Sequence, residues 1–293
     1  MIPSLPKINK LSFSNSVSKS VNSSESATLW TPLNLDLELV ASPTDPQKPA
    51  IWNWFQADSG VSTGAGGAVD SWESSYSTTP RGNFSDQFYY LVQNFANNKP
   101  LLEENVSNGK PAITFSGSSN LQYLEDGDVP IESKNKYQIY LVLGLTGSQN
   151  TTQVIVRAGG SASYDIAFLS NQQTAYPSNE WEEIYINGTE IPSPYEIRSQ
   201  LTNNGLNIIR LNNIDNTHEG YLDAFTLGAS NNGMQGRIAE VINFNRASTN
   251  TQFGYDPRPT GYEQKIEGYL AHKYGIQSKL PSDHPYKSAA PTT

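Results

Sequence analysis

Two neighbouring segments decide the fold: GRIAEVINFNRA (residues 236–247) and GYEQKIEGYLAHKYGIQSKLPSDHPY (residues 261–286). The first is rich in β-branched and aromatic residues, which is typical of a long, half-buried strand. The second carries apolar residues at helical spacing, namely Ile266, Tyr269, Leu270 and Tyr274. A single helix cannot bury such a stripe alone. We therefore expect this helix to lie against a sheet and to be followed by an ordered tail.

Both ends of the predicted helix carry sequence signals. Thr260 stands three residues before Glu263, which is the spacing of a capping box. Gly275 follows the last apolar position, where a left-handed cap favours a residue without a Cβ atom. Ile276 can then fold back onto the last turn. The sequence predicts a helix capped by Thr260 and ended by Gly275.

Elsewhere the chain reads as strands without helices between them. Residues 33–39 alternate strictly between leucine and polar residues, which predicts a strand with one buried face. Further strands are predicted at residues 136–147, 152–159, 164–170, 180–191, 206–214 and 223–230. Asn187-Gly188 predicts a type I′ hairpin turn. Successive strands of this kind indicate two antiparallel sheets packed face to face.

Residues 77–110 show little periodicity, and we interpret them as a long polar loop. Its aromatic residues, including Tyr90 and Phe95, are expected to be buried against the sandwich. Trp54 and Trp72 are expected in or near the core, together with Trp52.

Composition excludes several functional classes. The chain has no cysteine, so neither a disulfide framework nor a thiolate metal site is available. Its formal net charge is −9, and it has no run of lysine and arginine, so we expect no nucleic-acid partner. No segment approaches the roughly 18 apolar residues that cross a bilayer, and the N-terminus lacks the apolar core of a signal peptide.

The two C-terminal segments resemble the closing part of LamG-like, concanavalin A-like jelly-roll domains, which occur in many phage virion proteins and bacterial surface proteins. In that family a strand ends in an Asn/Asp-Arg-Ala turn, as at 245–247 here, and precedes a helix of the type xKIEGYLAxKxG and a tail of the type LPxxHPY. Residues 51–75 resemble the family's opening segment, with Gln56 where an acid is usual. Residues 108–124 resemble the segment that follows.

This resemblance implies an all-β fold: a concanavalin A-like jelly-roll sandwich of two antiparallel sheets, with one short C-terminal helix packed on it. The expected jelly roll spans residues 29–286, between an N-terminal arm (1–28) and a C-terminal tail (287–293). It implies a non-enzymatic structural or adhesion protein on the surface of a phage particle, either a head decoration or a tail appendage. Such a protein is made in the host cytoplasm, binds other virion proteins through the arm and forms a homo-oligomer.

Catalysis by paired carboxylates is not expected. Retaining glucanases of this fold place two carboxylates roughly 5 Å apart on one strand face. The nearest cluster here, Glu180, Glu182 and Glu183, lacks the aspartate of their motif. A glycoside hydrolase is therefore the remote alternative.

A carbohydrate-binding adhesin that recognises host surface glycans is the nearer alternative. If Ile184 and Ile186 face the core, strand alternation turns Trp181, Glu183 and Tyr185 outward. Sugars stack on aromatic rings and bind polar side chains, so these three are the candidate carbohydrate-binding residues. Packing of Trp181 under a loop or against another subunit is an equally open interpretation.

Calcium is the one cofactor the resemblance suggests, because laminin-type relatives bind Ca²⁺ at the sandwich rim. By loop position, the candidate ligands are Asp126, Asp128, Asp215 and Asp223. The three histidines, His218, His272 and His284, do not stand at metal-ligand spacing. We interpret the tail around His284 as packing against the sandwich.

Overall fold

The computed structural model describes residues 29–32, 50–75, 90–122, 136–146, 153–158, 165–168, 175–176, 183–192, 201, 205–214, 225–228, 234–246 and 261–293. The predicted arm (1–28) and the predicted strand at 33–39 lie outside the described residues.

Two antiparallel sheets form the body. The first contains β1 (Ala50–Gln56), β5 (Leu101–Ser107), β6 (Lys110–Ser116), β8 (Lys136–Leu145), β12 (Glu183–Ile186), β13 (Thr189–Glu190), β14 (Asn207–Ile214) and β16 (Gln235–Arg246). The second contains β2 (Val61–Thr63), β3 (Val69–Glu73), β4 (Tyr90–Val92), β7 (Asn120–Gln122), β9 (Gln153–Ala158), β10 (Asp165–Phe168), β11 (Ala175–Tyr176) and β15 (Phe225–Gly228). Helix α1 (Tyr262–Lys273) lies near the C-terminal end. The predicted all-β class is confirmed.

The first sheet is ordered β13-β12-β14-β8-β16-β6-β5, and β1 also pairs with β16. The second is ordered β11-β10-β9-β15-β7-β4-β3-β2. Strand β16 is central because it pairs with β8 along one side and with β6 and then β1 along the other. The long strand predicted at the C-terminal end therefore organises the first sheet.

The core lies between the two sheets. Alternation buries Ile113 and Phe115 of β6 in this layer, together with Ile184 and Ile186 of β12, which meets the condition set for the outward side of β12. A second apolar cluster lies on the outer side of the first sheet, beneath α1, and includes Ile266 and other residues of the predicted stripe. The helix therefore rests on a sheet, as the sequence predicts. Trp54 belongs to this second cluster and Trp72 to the first, whereas the side chain of Trp52 is outside the described part.

The ends of α1 agree with the sequence only in part. The prediction of a Thr260 cap is wrong, because the N-cap residue is Gly261, with a φ of 80° and no side-chain cap. The C-terminal end is confirmed: Gly275 has a φ of 66°, and the N–H of Ile276 donates to Ala271 O at 2.8 Å. Together with the bond from Gly275 N–H to His272 O, this is the Schellman arrangement.

The loop predicted at 77–110 is wrong from residue 90 onward, where the chain forms β4 and β5. Phe95 and Tyr90 are 70% and 44% exposed rather than buried. Phe95 lies where the chain crosses from the second sheet to the first at the rim. Tyr90 faces outward because its neighbour Leu91 points into the core.

Four of the described edge strands are poorly suited to strand addition. Strands β11 and β13 have two residues each, and β2 has three. Strand β5 is interrupted by a register shift between Glu103 and Ser107, with Asn105 at a φ of 56°. Short or bulged edges disfavour edge-to-edge pairing.

Candidate functional site

Helix α1 divides the outer face of the first sheet into two flanks. Residues four apart share one side of a helix, so Lys265 and Tyr269 lie on one flank and Glu263 and Glu267 on the opposite one. Tyr269 contacts Trp54, with ring centroids 6.0 Å apart. Lys265 lies 5.8 Å from the ring of Trp30, which is 1% exposed. The other flank faces the edge of the sheet formed by β12 and β13.

A buried cluster around Glu240 fastens the C-terminal end of α1 to the sheet. The register shift of β16 between Ile238 and Glu240 turns this carboxylate toward the helix. Glu240 is fully buried and accepts hydrogen bonds from Trp54 Nε1 (2.6 Å), Lys273 Nζ (2.7 Å) and Tyr274 OH (2.8 Å). Burial raises the pKa of Glu240, although Lys273 and the other donors act in the opposite direction.

The same lysine continues the Glu240 cluster toward the surface. Lys273 Nζ also donates to Gln56 Oε1 at 2.7 Å and pairs with Asp58 Oδ1 at 3.2 Å. Gln56, at the position where the resembled family usually has an acid, thus still accepts from this lysine. Although burial opposes the shift, Lys110 and Lys273 lower the pKa of Asp58. Lys273 and Tyr274 join the end of the helix to the sheet through this cluster, which fixes the position of the helix.

The tail packs on the opposite flank through His284. Tyr286 N–H donates to His284 Nδ1 at 3.2 Å, so the other ring nitrogen, Nε2, carries the proton. That nitrogen lies 3.3 Å from Glu267 Oε2, and the second oxygen of Glu267 lies 3.4 Å from Arg210 Nε. Glu267 and His284 are buried, at 1% and 7% exposure. The tail around His284 is therefore packing, as the sequence indicates.

Glu183 and Tyr185, two of the three predicted carbohydrate-binding residues, lie side by side on the outer face of β12. Tyr185 OH is 3.5 Å from Glu183 Oε2, and both side chains are partly exposed. Arg210 lies on the neighbouring strand with its Cζ 3.6 Å from the Tyr185 ring centroid. Burial, followed by the charge of Glu183, raises the pKa of Tyr185 to about 12.

A chain of hydrogen bonds reaches Glu183 from beneath the helix. Tyr262 OH donates to Gln138 Oε1 at 2.6 Å, and Gln138 Nε2 donates to Asn212 Oδ1 at 2.6 Å. Asn212 Nδ2 then donates to Glu183 Oε2 at 2.8 Å. We call Glu183, Tyr185, Arg210 and Asn212 the Tyr185 shelf.

Sequence reasoning missed Arg210 and Asn212 of the shelf. The nearest local signal is the hairpin turn at Asn187-Gly188, which is confirmed by φ values of 50° and 80° but does not involve β14. A fixed turn sets the register of β12 and β13 only. The pairing of Tyr185 with Arg210 comes from β14, whose register no local motif specifies.

The outer face of the second sheet carries a comparable tyrosine–glutamate pair. Tyr90 OH donates to Glu73 Oε1 at 3.3 Å across two neighbouring strands. The charge of Glu73 raises the pKa of Tyr90. Both residues are exposed.

The remaining predicted site residues lie outside the described residues: Trp181, Asp126, Asp128, Asp215 and Asp223. Among the residues that the structure does describe, no group of three or more His, Asp and Glu side chains could hold a metal ion. No helix in the described ranges is long and apolar enough to span a membrane.

Comparison with known proteins adds little to this geometry. No family model and no curated protein matches the chain. Among solved structures, domain 4 of AbnA, a GH43 extracellular arabinanase from Geobacillus stearothermophilus, solved in complex with arabinotriose, is similar over 71% of this chain and 98% of that one. The identity is 12% and the TM-score 0.36, which is too low to carry an inference about function.

Proposed function

We propose that this chain is a non-enzymatic structural and adhesion protein of a phage particle. In this proposal a LamG-like, concanavalin A-like jelly roll is exposed to solvent, and residues 1–28 attach it to other virion proteins. The support from sequence is the agreement of strand, turn, helix and tail with that family in order and spacing. The support from the fold is the position of Leu29 and Trp30, where residues 1–28 join the sandwich.

The entry point is the observation that carries the proposal. Leu29 forms a bridge with Thr292, and Trp30 N–H donates to Pro291 O at 3.0 Å. Trp30 is buried in the cluster beneath α1, so the first described residues are fastened to the helix-covered side of the first sheet. A tether that leaves from Leu29 departs from the Lys265 flank of the helix.

The arm differs in charge from the rest of the chain. Residues 1–28 contain three lysines and one glutamate, whereas the whole chain has a net charge of −9. They also contain apolar residues spaced along a serine-rich background, among them Leu5, Ile8 and Leu11. An acidic surface with apolar contacts is the partner this composition suits, and a homo-oligomer would gather several arms at one attachment site.

The test is incorporation into particles. The full chain and a chain lacking residues 1–28 would be supplied to particles that lack the protein, and its content would be measured in purified particles. We expect the deletion to unfold at the same temperature as the full chain and to be absent from particles. A triple variant, Lys7→Glu, Lys10→Glu and Lys19→Glu, serves as the charge control and should be depleted. Normal incorporation of the deletion would overturn the anchoring proposal.

A carbohydrate-binding adhesin is the second candidate, and one observation favours it. The structure brings Glu183 and Tyr185 together on a partly exposed surface, where a carboxylate and an aromatic ring can bind a sugar. Binding of the full chain to host cells and to glycans tests it. Repeating the measurement with a chelator tests the calcium proposal, because loss of binding would require a metal at the site.

A further inference from the structure

The Tyr185 shelf combines an aromatic ring with hydrogen-bond acceptors, and its cationic group, the guanidinium of Arg210, already has partners within the chain. Arg210 is 7% exposed, forms an ion pair with the buried Glu267 and lies against the tyrosine ring. Glu183 is partly exposed, and Glu190, which pairs with Tyr185 across the strands, is exposed. A ligand arriving at the shelf therefore meets carboxylates, while the guanidinium is buried and paired.

Arg210 also fixes the ring of Tyr185. A guanidinium 3.6 Å from the centroid covers one ring face and holds the ring against the sheet. Because Arg210 is itself held by Glu267 beneath the helix flank, the orientation of the ring is set before any ligand binds. A preorganised aromatic surface suits the C–H face of a sugar ring, since little freedom is lost on binding.

The hydrogen-bond chain fixes the polarity of the shelf. The Glu183 carboxylate accepts, so the Asn212 nitrogen faces it; the Asn212 oxygen then accepts from the Gln138 nitrogen, and the Gln138 oxygen accepts from Tyr262 OH. Glu183 thus accepts hydrogen bonds at Oε2, and no described residue donates to its other oxygen, Oε1. A carboxylate accepts several hydrogen bonds, so the complementary ligand group is a donor such as a sugar hydroxyl.

We propose that the Tyr185 shelf binds neutral oligosaccharides and discriminates against sialylated or sulfated ones. The sugar ring stacks on Tyr185, and hydroxyl groups donate to Glu183. An anionic glycan would instead bring its charge toward Glu183 and Glu190. This inference rests on the adhesin candidate described above and adds the class of glycan and the supporting roles of Arg210 and Asn212.

The experiment uses the full chain on an array of neutral hexose and N-acetylhexosamine oligosaccharides beside sialylated and sulfated counterparts. We expect binding to neutral members only. Tyr185→Ala should weaken it by about tenfold or more, as the loss of one aromatic contact and its hydrogen bonds implies. Glu183→Gln should also weaken binding, and Tyr185→Phe should bind better than Tyr185→Ala because it keeps the ring.

Tyr90→Ala is the matched control, because it removes a tyrosine beside a glutamate on the other sheet and should bind as the unaltered chain does. Thermal unfolding of each variant shows whether it is folded, and if Tyr185→Ala is not, Glu183→Gln decides. Equal binding of sulfated or sialylated glycans would overturn the inference, as would unchanged binding by both Glu183→Gln and Tyr185→Ala.

The possible failures are distinguishable. Loss of glycan binding in Tyr90→Ala but not in Tyr185→Ala would keep the adhesin candidate and reject the shelf. Absence of binding to any glycan would reject both. The particle proposal is tested separately, by measuring incorporation of the chain that lacks residues 1–28.

Discussion

The outer faces of the two sheets of this sandwich differ in what covers them. On the first sheet, α1 and the tail cover a second apolar cluster, and charged groups such as Glu240 and Glu267 are buried beneath them. On the second sheet, the described outward residues Glu73 and Tyr90 are exposed. Each sheet carries a tyrosine–glutamate pair, but only Tyr185 is backed by a buried arginine and a chain of amides.

The outer faces of the two sheets therefore have different roles. Charged groups that are buried with partners fix the relative positions of the elements that carry them. Removing one partner leaves the other charge unpaired in the protein interior. Exposed pairs contribute little to stability. The covered face is thus where the C-terminal segment and the entering chain are fixed. The Tyr185 shelf lies at its margin, where fixed side chains still reach solvent.

The largest effect is expected from removing Glu240. Glu240→Ala leaves Lys273 buried with weaker partners and deprives Trp54 of an acceptor, so we expect about 3 kcal/mol less free energy of unfolding. Urea unfolding measures it. Glu73→Ala on the second sheet is the matched control and should stay within about 0.5 kcal/mol of the original. Similar losses in the two variants would remove the distinction between the faces.

A smaller effect is expected where the tail meets the helix. A Cβ atom placed on Gly268 would lie 2.8 Å from Tyr286 Cγ, so Gly268→Ala should cost about 1–3 kcal/mol through overpacking. The double variant Gly268→Ala with Tyr286→Gly removes both the Cβ atom and the ring that clash, and it should recover part of that loss. If the double variant is less stable than either single one, the tail does not pack on α1 in this way.

The pH dependence of stability tests the outer end of the Glu240 cluster. The pKa of Asp58 is lowered in the folded chain, so its contribution is present above the unfolded pKa of 3.8 and is lost as pH falls through the lower folded value. Asp58→Asn should therefore lose less stability than the original chain on acidification from pH 5 to 3. Equal slopes in urea unfolding across this range would show that Asp58 is not coupled to folding.

The smallest effect is expected on the open face. Tyr90→Ala removes a 44% exposed side chain whose hydrogen bond to Glu73 is also exposed, and we expect a change within about 0.5 kcal/mol. Thermal unfolding measures it. A loss above 1 kcal/mol would indicate that the second sheet's outer face is covered by part of the chain.

Local signals in the sequence predicted much of this fold. The apolar stripe of α1, the cap at Gly275 and the hairpin at Asn187-Gly188 depend on residues close together in the chain, and all three are confirmed. The Thr260 cap failed because a Gly in the left-handed region can begin the helix one residue later. Strand β4 was missed because it has only three residues, and β5 because its mixed sequence carries no clear period.

The site was less predictable than the fold, for a physical reason. Alternation alone correctly placed Glu183 and Tyr185 on one outward face. The groups that make this pair a shelf come from β14, β8 and α1, which are distant in the chain; Asn212, for example, is 29 residues from Glu183. Nor does the sequence show that a register shift in β16 buries Glu240 against Lys273.

Cysteine labelling can test whether the chain is attached to the particle through its helix-covered side. The chain has no cysteine, so Leu29→Cys and Tyr90→Cys each introduce a single thiol, at positions 65% and 44% exposed. Both would be treated with a maleimide as free protein and within purified particles. We predict that Leu29→Cys becomes protected from maleimide in particles, whereas Tyr90→Cys reacts as it does in the free protein. Protection of Tyr90→Cys with continued labelling of Leu29→Cys would contradict it.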